Sequence, residues 1–137
     1  MAKYVVKTPQ IEVNSVDLSA YLEDVTLTYE ADEIESTSSG TTVNDKSFVA
    51  GLRSWSIDAT LQQSYAAAQV DATLFGLVGA AAFPVKVRPT SAAKAATNPS
   101  FEGNCILTSY PPLTGKVGEL ARVNIKLRGT GALTRSV

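Results

Sequence analysis

The sequence predicts a mainly-β fold, an antiparallel β-sandwich or barrel with one flanking α-helix at about 65–78. Three observations predict it: apolar and polar residues alternate in several separate runs, turn-forming residues punctuate those runs, and a single segment shows helical spacing. A strand points successive side chains to opposite sides, so strict alternation makes one oily face and one wet face. Val25, Leu27 and Tyr29 alternate in this way with Thr26, Thr28 and Glu30. Trp55, Ile57, Ala59 and Leu61 do the same against Ser54, Ser56, Asp58 and Thr60, which places Trp55 in the core. Val85 and Val87 alternate with Lys86 and Arg88, and Val123, Ile125 and Leu127 with Asn124, Lys126 and Arg128. Shorter strand candidates are 4–7, then 11–13 and 16–18 around an Asn14-Ser15 turn, and 101–110.

The segment 64–79 breaks the rhythm, placing Ala67, Val70, Leu74, Leu77 and Val78 at helical spacing. Its alanines favour helix, Ser64 suits an N-cap, and Gly79 suits the left-handed residue that closes a helix. Its oily stripe is best buried across an end or face of a sheet. Loops are expected at 36–47, 90–100 and 111–118, where Gly, Pro, Asn and Asp gather. The first two are long for a compact domain, so each reads as a contact arm ordered by neighbours or as a mobile tip.

The 137 residues are 45% hydrophobic and 18% charged, which supports one modest core, and positions 1–137 are expected to form a single domain. No histidine occurs, which removes Ser-His-Asp triads, Cys-His dyads and imidazole metal sites together. A lone cysteine, Cys105, in a strand-like run beside Ile106 and Leu107, reads as a small buried apolar residue and forms no internal disulfide. The N-terminus lacks the pattern of a secretory signal, and the longest apolar stretch, 72–85, falls short of a spanning helix. The chain is therefore expected to stay where it is made and to bind no membrane. No cofactor motif is present; Gly115-Lys116-Val117-Gly118 is too short for a phosphate loop.

Charge is unevenly spread. Eight acidic residues and no basic one lie between Glu12 and Glu35, whereas between Lys86 and Arg135 eight basic residues stand against Glu102 and Glu119. The two halves either neutralise each other within one domain or favour head-to-tail association between chains. Glu30, Asp32, Glu33 and Glu35 invite a reading as paired acid-base carboxylates. On a strand, however, Glu30 and Asp32 share one face and Glu33 and Glu35 the other, unless the alternation breaks at Asp32-Glu33. An enzyme using carboxylates alone is therefore the weakest reading, and no enzyme activity is expected.

Several stretches, in their order and spacing, resemble the major tail tube proteins of long-tailed, siphovirus-like bacteriophages. They are Val16-Asp17-Leu18-Ser19 followed by Val25-Thr26-Leu27-Thr28, then Glu30-Ala31-Asp32-Glu33-Ile34-Glu35-Ser36-Thr37 leading to a glycine. Next come Phe48-Val49-Ala50-Gly51-Leu52-Arg53-Ser54-Trp55-Ser56 and Ala66-Ala67-Ala68-Gln69-Val70-Asp71-Ala72-Thr73-Leu74-Phe75. Val87-Arg88-Pro89-Thr90-Ser91-Ala92, Thr97-Asn98-Pro99 and Val117-Gly118-Glu119-Leu120-Ala121 complete the series, which spans nearly the whole chain. The resemblance implies a subunit that closes into hexameric rings, which stack into a hollow conduit for DNA ejection. Its partners would be copies of itself, a tape measure protein and a tail terminator, with DNA passing unread through the lumen. Its place would be the virion tail, after assembly in the host cytoplasm. The family's acidic lumen points to Glu30, Asp32, Glu33 and Glu35. The arm between subunits corresponds to Ser39, Gly40, Thr41, Thr42, Val43, Asn44 and Asp45, with apolar contacts at Phe48 and Leu52. The competing reading is a β-sandwich that decorates a virion, sits in a baseplate or caps a tail, as a single ring or a monomer.

Overall fold

A computed structural model describes residues 3–38 and 44–137. The strands are β1 (Gln10–Val13), β2 (Val16–Asp17), β3 (Leu22–Glu35), β4 (Phe48–Gln62), β5 (Phe83–Arg88), β6 (Ser100–Ser109) and β7 (Arg122–Ser136). They form one antiparallel sheet in the order β2-β1-β5-β6-β7-β4-β3, so the mainly-β expectation holds. The inward residues are the alternating ones. Trp55, Ile57, Ala59 and Leu61 of β4 join Val123, Ile125 and Leu127 of β7, with Val85 and Val87 of β5 and Ile11 and Val13 of β1, in one buried cluster. A flat sheet with so little helix could not hide that face, so the two halves of the sheet cover each other.

The Asn14-Ser15 turn joins β1 to β2 with both residues at positive φ (49° and 67°), the geometry that matches the twist of a tight hairpin. Residues 4–7, expected as a strand, belong to none. They run along the surface, where the Tyr4 hydroxyl donates to the Pro89 carbonyl (2.5 Å) and Thr8 accepts from the Ser91 amide (3.3 Å).

The helix is far shorter than 65–78. It consists of α1 (Val70–Leu74), followed by a 3₁₀ turn at Phe75–Leu77. Ala68 sits at φ 59°, which ends any helix running through it, and the residues at 65–68 are exposed, with no apolar face to bury. Alanine propensity amounts to tenths of a kcal/mol per residue, too little to hold a solvated turn against specific hydrogen bonds. Those bonds gather on Gln69, whose side-chain oxygen accepts from the hydroxyls of Ser64 (2.8 Å) and Tyr21. Ser64 is thus not the N-cap; its carbonyl accepts from the Asp71 amide (3.0 Å). Val70 and Leu74 are fully buried, and Gly79 takes the left-handed conformation expected of it (φ 75°).

The loop at 90–100, expected to be ordered by neighbours or mobile, is ordered from within the chain. Asn98 is buried at its centre, donating to the carbonyl of Ala92 (2.8 Å) and accepting from the amide of Thr90 (3.1 Å). Its backbone exchanges two further bonds with Ala95. A buried amide side chain fully used in this way organises a loop from within.

Trp55 occupies the point where β4 and β7 part. Their pairing runs from Gln62↔Arg122 to Ser56↔Arg128 and stops there. The indole lies across the backbones of Gly129 in β7 and Gly103 in β6, where an added Cβ would meet the ring at 2.2 and 2.6 Å, and its Nε1 donates to the Gly131 carbonyl (3.2 Å). Gly129→Ala is therefore expected to destabilise the fold by about 1–3 kcal/mol through overpacking, read as a lower urea midpoint. An unchanged midpoint would show that the indole is not held against these strands.

Candidate functional site

β3 is an edge strand of fourteen residues, and among the described residues no strand pairs with its outer side. The opposite edge is treated differently. There the Ser19 hydroxyl accepts from the Ile11 amide (3.0 Å) and the Leu18 amide donates to the Ile11 carbonyl (3.1 Å), closing β1 where β2 gives out. Among the described residues β3 thus offers a row of backbone groups along its whole length with no partner strand, which is a template for pairing with another chain.

Past Trp55, β4 has only β3 for company. Glu30↔Ser54, Ala31↔Arg53, Glu33↔Ala50, Ile34↔Val49 and Glu35↔Phe48 continue the ladder as a two-stranded ribbon beyond the body of the sheet. The Ser36 amide donates to the Ser47 carbonyl (2.7 Å) and the Ser47 amide to the Thr37 hydroxyl (2.8 Å), which pinch its far end. Between Ala31 and Glu33 the register shifts: β4 spends three residues where β3 spends two, so Asp32 faces both Gly51 and Leu52. Gly51 lies under Ile34, where a Cβ would meet the Ile34 side chain at 2.9 Å, and the extra residue, Leu52, is 82% exposed. Such a bulge bends and twists a ribbon and re-aims its side chains.

The extra residue is in β4, so β3 keeps its alternation. Glu30 and Asp32 fall on one face with Ile34, and Glu33 and Glu35 on the other with Ala31. All four carboxylates are exposed, and none takes part in the three ion pairs among the described residues. Phe48, Val49 and Ile34 are each about half exposed beside them. Asn44 and Asp45 are exposed at the base of the connecting loop. Ser39, Gly40, Thr41, Thr42 and Val43 lie outside the described residues.

The charge division is partly resolved within the chain. The Glu23 carboxylate accepts from Arg122 Nε (2.5 and 2.8 Å), and Glu12 lies in register opposite Lys86. Elsewhere the chemistry is quiet. Cys105 is fully buried, and burial pushes its thiol up to about 12, far from a nucleophile's range. Burial also pushes the Tyr110 phenol up to about 12, with its hydrogen bond to Asp71 acting in the same direction. Among the described residues no group of three or more Cys, Asp or Glu side chains is placed to hold a metal ion.

No protein-family model matches the sequence, and no curated protein is similar to it. The fold does match solved structures. A chain of the virion of a native gene transfer agent particle superposes with a TM-score of 0.76 over 98% of this chain and 100% of that one, at 17% identity. A chain from the tail of an empty gene transfer agent particle, obtained by helical refinement with C6 symmetry, gives 0.68 over 85% and 83%, at 18% identity. At these identities the likeness is one of fold: this chain has the architecture of a component of such tails and virions.

A ribbon residue as exposed as Leu52 should be dispensable for the fold. Leu52→Ser is expected to change unfolding free energy by no more than about 0.5 kcal/mol in dilute protein, as exposed substitutions do. A larger loss in a thermal or urea melt would mean that the ribbon packs on its own chain.

Proposed function

We propose that this chain is a structural subunit of a phage-like tail tube. It acts as one tail tube domain over positions 1–137, self-assembling into stacked rings, hexameric by analogy with the C6 tail, around a conduit for DNA. The observation that carries this reading is the fold likeness over whole chains to a component of a gene transfer agent virion. Two features of the chain support it. The β3 edge and the ribbon beyond Trp55 are both unfinished, and a closed ring of subunits would complete every edge at once. The ribbon also carries exposed apolar side chains at Ile34, Phe48, Val49 and Leu52, which are unexplained in a solitary molecule.

In this reading the ribbon is the arm that contacts neighbouring subunits, with Asn44 and Asp45 at its loop. Its carboxylates keep the channel wall from gripping phosphate, because a like-charged wall denies DNA the counterion release that a basic groove supplies. Alternation allows a ribbon lying in the wall to turn one pair to the channel, Glu30 and Asp32 or Glu33 and Glu35, and the other pair to protein. The subunit catalyses nothing; its place is the virion, and a tape measure protein and a tail terminator are its further partners. Electron microscopy of concentrated purified protein tests the reading. Long hollow tubes are expected; single rings would favour a capping or baseplate role, and monomers at every concentration would overturn self-assembly.

A further inference from the structure

We propose that the β3–β4 ribbon of one copy seats in an apolar groove on the next copy, with ribbon carboxylates paired to Arg88 and Arg135. This rests on the reading of the chain as a self-assembling subunit and adds where its arm goes. The groove, of about 460 Å³, opens where the two halves of the sheet fail to close over each other. Leu27 of β3, Phe101 of β6 and Leu133 of β7 line it, and Val6 of the N-terminal segment forms part of its wall. None of these four is fully buried, so the groove is apolar surface that the described residues leave uncovered.

Arg88 and Arg135 line the same groove. Their guanidinium groups donate only to backbone carbonyls, of Ala92 (3.1 Å) and Ala96 (3.4 Å), and neither takes part in an ion pair among the described residues. The ribbon offers the complement. It has apolar side chains at Ile34, Phe48, Val49 and Leu52, and four unpaired carboxylates at Glu30, Asp32, Glu33 and Glu35. An apolar contact ringed by opposite charges sets both affinity and register, and it penalises a copy that approaches ribbon to ribbon.

Placement in the sheet also fits a second copy. β4 runs antiparallel to β7, so the ribbon leaves the sheet at the end where β7 finishes with Leu133 and Arg135; Phe101 is the register partner of Arg135, and Val87, next to Arg88, of Phe101. Donor and acceptor therefore lie at the same end of the strands. A neighbour rotated about an axis along the strands can offer its ribbon to the groove without being turned end for end. The contact joins two different surfaces, and repeating it by rotation closes a ring.

Two variants with one added thiol each, Leu52→Cys on the ribbon and Val6→Cys in the groove, test this on the full chain. The native Cys105 is buried and stays silent. Mixed under assembly conditions and then oxidised, they are expected to give covalent dimers on a non-reducing gel at several times the yield of either variant alone. Adding Arg135→Glu to the groove variant should lower that yield several-fold, and adding Glu33→Arg to the ribbon variant should restore it. If the mixture assembles like the unmodified protein but gives no excess of dimer, the seating is wrong and the subunit reading stands. If the unmodified protein never assembles, the subunit reading fails and takes this inference with it.

Discussion

The structure turns on the fork at Trp55, where β4 stops pairing with β7. Below it, each inner strand has a neighbour on both sides and one oily face against the core. Above it, β3 and β4 have only each other. A two-stranded ribbon alone is marginally stable in water, because half of its backbone groups bond to solvent and it has no core to bury. The indole keeps the fork open. It occupies the space over Gly129 and Gly103 that side chains on β7 and β6 would fill, and its bond to Gly131 holds it there. The molecule is thus finished at one end and incomplete at the other, and the incomplete end carries the exposed apolar side chains Ile34, Phe48, Val49 and Leu52.

Electrostatics follow from the same layout. The acidic and basic halves of the chain do not remain two separate poles. Glu23 pairs with Arg122, and Glu102 with both Lys86 and Lys94. Exposed pairs of this kind contribute about 1 kcal/mol or less each, so they trim the charge map more than they stabilise the fold. Among the charges left outside these pairs are the four carboxylates and Arg53 on the ribbon, and Arg88 and Arg135 in the groove.

Much of the fold was legible in the sequence, for a definite reason. The strands over 54–61, 85–88 and 123–128 each bury one face, and Val25 and Leu27 are half-buried against the same core, so hydrophobic alternation had to be written into them. The Asn14-Ser15 turn and the Gly79 helix stop were legible because each needs a backbone conformation that few residues adopt. The helix was overextended because Ala66, Ala67 and Ala68 score as helix while the side chains that unwind them, Ser64, Tyr21 and Gln69, meet only in three dimensions. The bulge at Leu52 left no periodic trace, since one inserted residue in an exposed ribbon breaks no buried pattern. The groove was illegible because its walls come from both ends of the chain and from three strands between. The four carboxylates were found as a cluster, yet their division between two faces became definite only once the extra residue was assigned to β4.

The central claim is that the ribbon and the β3 edge are completed by another copy. Backbone amide exchange, followed residue by residue in dilute and in concentrated, assembled protein, tests it most directly. The account predicts that amides at 30–35 and 48–54 exchange far faster than those at 122–128 in dilute protein, and gain protection on assembly while the core amides stay unchanged. Ribbon amides as protected as β7 in the solitary chain, or equally fast after assembly, would contradict it.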